Sequence, residues 1–264
     1  MMDSIKIAHE VPLCLLEESR KFNDYDYALV HLFKQYPEYL QFFKDSVEMG
    51  REVLLDNSIF ELKTAFDDVE FANWVEELRP TRYIIPDVLD DCEKTIQGID
   101  RWRNHFEYLP GRTIGVVQGK TYEELTKCYL HIVENCDEVA LCFPHSHHQS
   151  KGLTKQAFHE RMLNRTLLID NWITDGIIQE TKRHHLLGCL LPQEFKKYGG
   201  LDFLYSLDTS NPIIHGYKGV RYDRGTLDDK IDMKMAENME IQLSEKNKAD
   251  IMHNVKQFRE NITW

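Results

Sequence analysis

Short apolar runs, several of them β-branched, alternate along this chain with stretches whose apolar residues recur at helical spacing. The runs Ile5–Ala8, Val53–Asp56, Tyr83–Pro86, Ile114–Gln118, Val139–Phe143, Leu186–Leu190 and Phe203–Leu207 predict strands, and Ile213–His215 is a shorter eighth candidate. Several are apolar almost throughout, as strands covered on both faces are. Leu29, Leu32, Phe33, Tyr36, Leu40 and Phe43 predict a helix over Tyr25–Met49 that Pro37 must kink or break. Asp67 and Glu70 open a capped helix that stops before Pro80, and Thr121-Tyr-Glu-Glu opens another that runs to Asn135. Thr154–Lys182 reads as one long helix or two shorter ones broken at Gly176. The tail reads as a helix to about Leu243 and a final one to about Asn261.

Strand followed by helix, repeated along 264 residues, predicts an α/β fold: a (β/α)8 barrel of the TIM type, with an open doubly wound sheet as the alternative. Residues 1–264 read as a single barrel domain carrying C-terminal helices over 226–264. No G-x-G-x-x-G or G-x-x-x-x-G-K-[ST] is present, which argues against the common nucleotide-phosphate loops.

Polar or small residues close nearly every predicted strand. The runs end Leu55-Asp56-Asn57-Ser58, Ile85-Pro86-Asp87, Val117-Gln118-Gly119, Cys142-Phe143-Pro144-His145, Leu187-Gly188 and Leu207-Asp208. In a parallel barrel these ends share one rim, where barrel active sites lie. Asp and Asn after a strand also form turns and caps on their own account. Three carboxylates and an amide around one pocket allow two chemistries, divalent-cation binding through oxygen ligands or a division of labour at a glycosidic carbon.

Charge and composition narrow the partners. The net charge of −12 argues against nonspecific coating of nucleic acid. Between His145 and Arg224, eleven Lys/Arg meet eight Asp/Glu and seven of the twelve histidines gather, which leaves room for a local phosphate surface. Six cysteines without a Cys-x-x-Cys suit free thiols in a cytoplasmic protein. Leu186–Leu191 is the longest strongly apolar run, too short for a membrane span, and Met-Met-Asp-Ser-Ile-Lys does not open a signal peptide. His145-Ser-His147-His148, with His159, is a candidate metal cluster or a loop over the pocket. His184-His185 reads as a helix end, and Lys218-Gly-Val-Arg221-Tyr-Asp-Arg224 as a candidate for backbone contacts. Trp74, Trp102, Trp172 and Trp264, with Met233, Met235 and Met239, read as packing residues.

The set Asp56-Asn-Ser-Ile-Phe60-Glu61, Pro86-Asp87, Val116-Val-Gln118-Gly119, His185-Leu-Leu-Gly188 and Asp208-Thr-Ser-Asn-Pro212 resembles, in order over roughly residues 50–215, the tRNA-guanine transglycosylase superfamily. The short chain looks most like the phage-type relatives that place 7-deazaguanine bases in DNA. The resemblance implies that Asp208 is the nucleophile and Asp56 the acid/base. It implies that Asp87 accepts the guanine N1–H and amino group, that Gln118 and Gly119 face the guanine oxygen, and that Phe60 stacks on the base. Leu187 and Gly188 would form the opposite wall. Cys142-Phe143 stand where the family usually has a Gly pair, so the pocket is expected to be reshaped there. The tRNA enzymes' Cys-x-Cys-x-x-Cys…His zinc site follows the nucleophile, whereas the last cysteine here is Cys189, and Thr209-Ser210-Asn211 replace the usual basic residues. The resemblance therefore implies a barrel without the zinc subdomain, no cofactor or metal, a free 7-deazaguanine base as co-substrate, and DNA rather than tRNA as partner. A queuosine-type tRNA enzyme, a base hydrolase and a non-catalytic nucleic-acid-binding subunit are the alternatives.

Overall fold

The computed structural model describes residues 5–143, 155–189, 191–222 and 230–262. Its centre is an eight-stranded, wholly parallel sheet in the order β1-β8-β7-β6-β5-β4-β3-β2, rolled into a nearly closed (β/α)8 barrel with β1 and β2 meeting at the seam. The strands are β1 (Lys6–His9), β2 (Asp26–Leu29), β3 (Val53–Asp56), β4 (Arg82–Ile84), β5 (Arg112–Val117), β6 (Glu138–Leu141), β7 (Arg183–Leu186) and β8 (Leu204–Thr209). The α-helices are α1 (Leu16–Ser19), α2 (Pro37–Glu48), α3 (Ile59–Leu62), α4 (Asp68–Leu78), α5 (Cys92–Phe106), α6 (Tyr122–Asn135), α7 (Lys155–Thr174), α8 (Asn211–Tyr217) and α9 (Glu245–Ile262).

Six predicted strands are present, the predicted run Leu186–Leu190 meets β7 only at Leu186, and the eighth strand lies elsewhere than expected. Residues 213–215 belong to α8, with Pro212 in its first turn. The missing strand is β2, inside the segment read as the first half of a helix. All four of its residues are buried, including Asp26, whose carboxylate takes two hydrogen bonds from Arg51 at 2.7 and 3.0 Å. The helical spacing there arose by chance, from a strand, a 3-10 turn at Val30–Leu32 and α2 joined end to end. Pro37 starts α2, where its missing N–H costs nothing. His184 and His185 belong to β7 and not to a helix end, because each buried imidazole has a partner, His184 the Tyr129 hydroxyl of α6 and His185 the Asp208 carboxylate of β8.

The capped helices begin as expected. Asp67 accepts from Glu70 N, and Thr121 accepts from Glu124 N. The apolar pattern does not mark α5, whose buried face is only Cys92, Thr95, Gly98, Ile99 and Trp102. After α7 the chain turns at Gly176, which holds φ +69°. Residues 230–244 contain only the 3-10 turn Met235–Glu237 and not the expected helix. Met235 and Met239 are buried there and pin this segment across the barrel end. Helix α9 buries Ile251, Val255, Phe258 and Ile262 and packs on α8. Trp102 and Trp172 are core residues and Trp74 packs against the core, while Trp264 lies outside the described residues.

Candidate active site

The C-terminal strand ends surround a cavity that opens to solvent. Asp56, Asp87, Gln118 and Asp208, from four different strand ends, all line it. Phe60, Cys142, Phe143, Leu187 and Gly188 line it as well. Gly119 does not. A Cβ on Gly119 would sit 2.9 Å from Glu124 Cβ and Leu125 N, so this glycine lets α6 approach the strand end. Lys218 and Arg221 lie away from the cavity, at and beyond the far end of α8, and Arg221 Nε stands 3.8 Å from Asp250. Arg224 and the 145–148 histidines fall outside the described residues.

Each carboxylate is fixed by its neighbours. Asp56 accepts the Tyr27 hydroxyl at 2.7 Å and the Ser58 backbone N–H at 2.6 Å. The second bond is the local turn expected of Asp after a strand, and it helps hold Ser58 in the left-handed region at φ 61°. Asn57 donates to Ile85 O at 3.0 Å and to Asp87 Oδ1 at 2.7 Å, while Gln118 donates to Asp87 Oδ2 at 2.6 Å. The Asp90 N–H in turn donates to Gln118 Oε1 at 3.0 Å, which fixes the amide's orientation. Asp208 Oδ1 lies 3.0 Å from the donating Gly188 N–H and 3.2 Å from His185 Nε2. Both bonds fall on one oxygen, which leaves Oδ2 without a hydrogen bond among the described residues.

Burial sets the protonation states. Desolvation, then the charge of Glu61, pushes the Asp56 carboxyl up to about 8, against the hydrogen bonds from Tyr27 and Ser58. Desolvation raises Asp87 to about 6, opposed by its two amide donors. Glu61, also on the cavity wall, rises to about 7 by burial. Environment alone therefore separates the two carboxyls, Asp56 holding its proton to higher pH than Asp87.

Several wall residues escape the strand-end pattern or carry no role in it. Glu10 follows β1, and burial followed by the charge of Asp208 raises its carboxyl well above the usual range. Tyr27 was hidden because β2 reads as a helix. Its ring stacks on His185 with centroids 6.3 Å apart. Arg161, Lys230, Met233, Lys234 and Met235 close the outer wall. Glu10 had a signal, since it follows an apolar run as the other carboxylates do.

A buried guanidinium supports the Leu187–Gly188 wall. Arg165 binds Glu194 through two bonds of 2.6 and 2.8 Å, and donates to Leu187 O at 2.7 Å and Leu141 O at 3.2 Å. It also lies 3.8 Å over the Phe143 ring. Among the described residues, no cluster of three or more His, Cys, Asp or Glu side chains is arranged to hold a metal ion, all six cysteines are free, and no helix is long and apolar enough to cross a membrane. Comparison with protein-family models and with curated proteins finds no match to the chain. The functional reading therefore rests on the residues and their geometry.

Proposed function

We propose that this protein is a base-exchange transglycosylase, which replaces guanine in DNA by a free 7-deazaguanine base through a covalent Asp208 intermediate. The observation that carries the reading is the meeting of Asp56, Asp87, Gln118 and Asp208 in one cavity; burial, which raises the Asp56 carboxyl more than that of Asp87, supports it.

The chemistry follows from what guanine needs. Its Watson–Crick edge offers two adjacent donors and one carbonyl acceptor. Asp87 meets the donors, and the Gln118 amide beside it meets the carbonyl. Guanine leaves poorly as an anion, so an acid must protonate it as the bond to C1′ breaks. Asp56 is that acid. Asp208 Oδ2 attacks C1′, the C1′–N9 electron pair goes to guanine, and a glycosyl ester remains. The incoming base then gives its proton to Asp56, attacks C1′ through nitrogen and releases the Asp208 carboxylate. Two displacements retain the anomeric configuration. A duplex substrate must first extrude the nucleotide, at a cost of a few kcal/mol. DNA is the favoured acceptor because Thr209-Ser210-Asn211 stand where the resembled tRNA enzymes carry basic residues after the nucleophile.

The test is mass spectrometry of nucleosides from DNA and from tRNA after incubation with enzyme and a labelled 7-deazaguanine base. Label in deoxynucleosides is the expected result. Label only in tRNA would move the acceptor, and free guanine without incorporation would make the enzyme a hydrolase.

A further inference from the structure

The cavity is acidic inside and cationic at its edge. Five carboxyl groups line it: Glu10, Asp56, Glu61, Asp87 and Asp208. A phosphodiester strand delivering a base to such a cavity, in a chain of net charge −12, meets repulsion unless cations stand at the entrance.

Four cations stand there, brought from three separate parts of the chain. Arg161 comes from α7, Lys230 and Lys234 from the segment that crosses the barrel end, and all three line the cavity. Lys63 follows α3. Its ammonium lies 3.9 Å from the Phe60 ring centroid, and Lys234 Nζ lies 5.8 Å from the same ring. Phe60 is 44% exposed, which puts this wall at the surface. The cations also feel one another. Burial and then the charge of Lys234 lower the Lys63 ammonium, with Arg161 adding to the effect. Burial lowers Lys230, against the charge of Glu10 on the cavity wall, and Arg161 adds to the lowering. Lys234 reaches Glu237 at 2.8 Å, an exposed pair that an arriving phosphate displaces at little cost.

We propose that Lys63, Arg161, Lys230 and Lys234 grip the phosphodiesters on either side of the nucleotide whose base enters the cavity. The identity of that nucleotide rests on the base-exchange reading, while the grip itself does not. This site replaces the segment around Lys218 and Arg221, which the fold puts a helix-length from the rim.

Fluorescence anisotropy of a labelled single-stranded oligodeoxynucleotide and of the same RNA sequence, across a salt series, tests the rim. The variant is Lys63→Gln/Lys234→Gln, two solvent-facing changes checked for folding by circular dichroism. Removing two phosphate contacts should flatten the slope of log K against log salt by about 1.4, at ~0.7 for each contact on a single strand. Binding should weaken tenfold or more at about 100 mM salt, while Lys218→Gln/Arg221→Gln stays within about twofold of the wild type. An unchanged slope in the rim variant, a loss that falls on the Lys218/Arg221 variant, or a wild type that binds neither strand at low salt would overturn the proposal. Rim-dependent binding without base exchange would sink the chemistry and leave the rim. Exchange by a wild type whose rim variant binds normally would do the reverse.

Discussion

His185 and Asp208 are joined at 3.2 Å, Nε2 to Oδ1, inside the barrel. The tautomer is set from the far side. Arg82 Nη1 donates to Ser206 Oγ at 2.8 Å, so the Ser206 hydrogen is free to go to His185 Nδ1, also at 2.8 Å. Nε2 then carries the hydrogen and donates it to Asp208. Burial lowers the His185 pKa and keeps the ring neutral, against the Asp208 contact that favours charge. A neutral donor orients Asp208 without forming an ion pair with it.

On the base-exchange reading, His185→Phe should lower kcat by roughly 10–100-fold with KM changed by less than about threefold, since His185 orients the nucleophile and is remote from the base edge. Ser206→Ala should lose less, because the ring stays in place while its tautomer is released. Steady-state kinetics check both. A rise in KM alone would mean that His185 merely shapes the pocket.

On the base-exchange reading, the rate should show a bell-shaped pH dependence. Asp87 must be ionised to accept the guanine donors, which gives a rising limb near 6. Asp56 must be protonated to deliver its proton, which gives a falling limb near 8. Glu61 is the largest charge acting on Asp56. Glu61→Gln should therefore move the falling limb to lower pH and leave the rising limb in place. The carboxyls share one cavity, so the limbs are apparent constants of the cluster. A pH profile of kcat/KM that is flat from pH 6 to 9 would contradict these assignments.

Stability should change with pH in a defined sense. Asp56 and Asp87 have folded pKa values of about 8 and about 6, above the ~3.9 of an unfolded Asp. The folded state therefore binds more protons than the unfolded one in that range, and stability falls as pH rises through it. Buried His9, near 3, and His184, near 4, act oppositely: their contribution is present above ~6.5, the unfolded value, and lost as pH falls towards their folded values. Above about pH 7.5 the histidine effect is complete, and the carboxyls lead the decline until the buried thiols of Cys128, Cys136, Cys142 and Cys189, also raised by burial, add to it above pH ~8. Thermal melts should show Tm declining above about pH 7.5 in the wild type and declining less in Asp56→Asn. Parallel slopes would contradict the burial argument.

Arg165 and Glu194 are both fully buried and paired. Arg165→Met should cost about 3–5 kcal/mol, because Glu194 would be left as an uncompensated buried charge. Denaturant unfolding measures it, and Arg165→Met/Glu194→Leu should recover part of the loss. A cost below about 1 kcal/mol for the single change would show that Glu194 finds another partner.

Much of this architecture was legible in the sequence, for physical reasons. A strand buried on both faces is a continuous apolar run, so β3, β5 and β6 stand out. A residue placed directly after such a run lands on the rim, so Asp56, Asp87, Gln118 and Asp208 could be grouped before any coordinates. β2 was illegible because Asp26 sits in it, tolerated only by Arg51, which is distant in sequence. β7 was half-legible because the buried His184 and His185 are satisfied by Tyr129 of α6 and by Ser206 and Asp208 of the neighbouring β8, partners distant in sequence. The outer wall at Lys230 and Lys234 was illegible too. Burial of Met235 and Met239 holds that segment in place, and helix periodicity reports no such tertiary contact.

The central claim is that Asp208 forms a covalent glycosyl bond. Incubation with a guanine-containing oligodeoxynucleotide and a 7-deazaguanine analogue, followed by denaturing electrophoresis and intact mass, measures it directly. The account predicts a protein–oligonucleotide adduct that maps to Asp208, is lost in Asp208→Asn and is chased by free base. An adduct that survives Asp208→Asn, or base exchange by that variant at the wild-type rate, would contradict it.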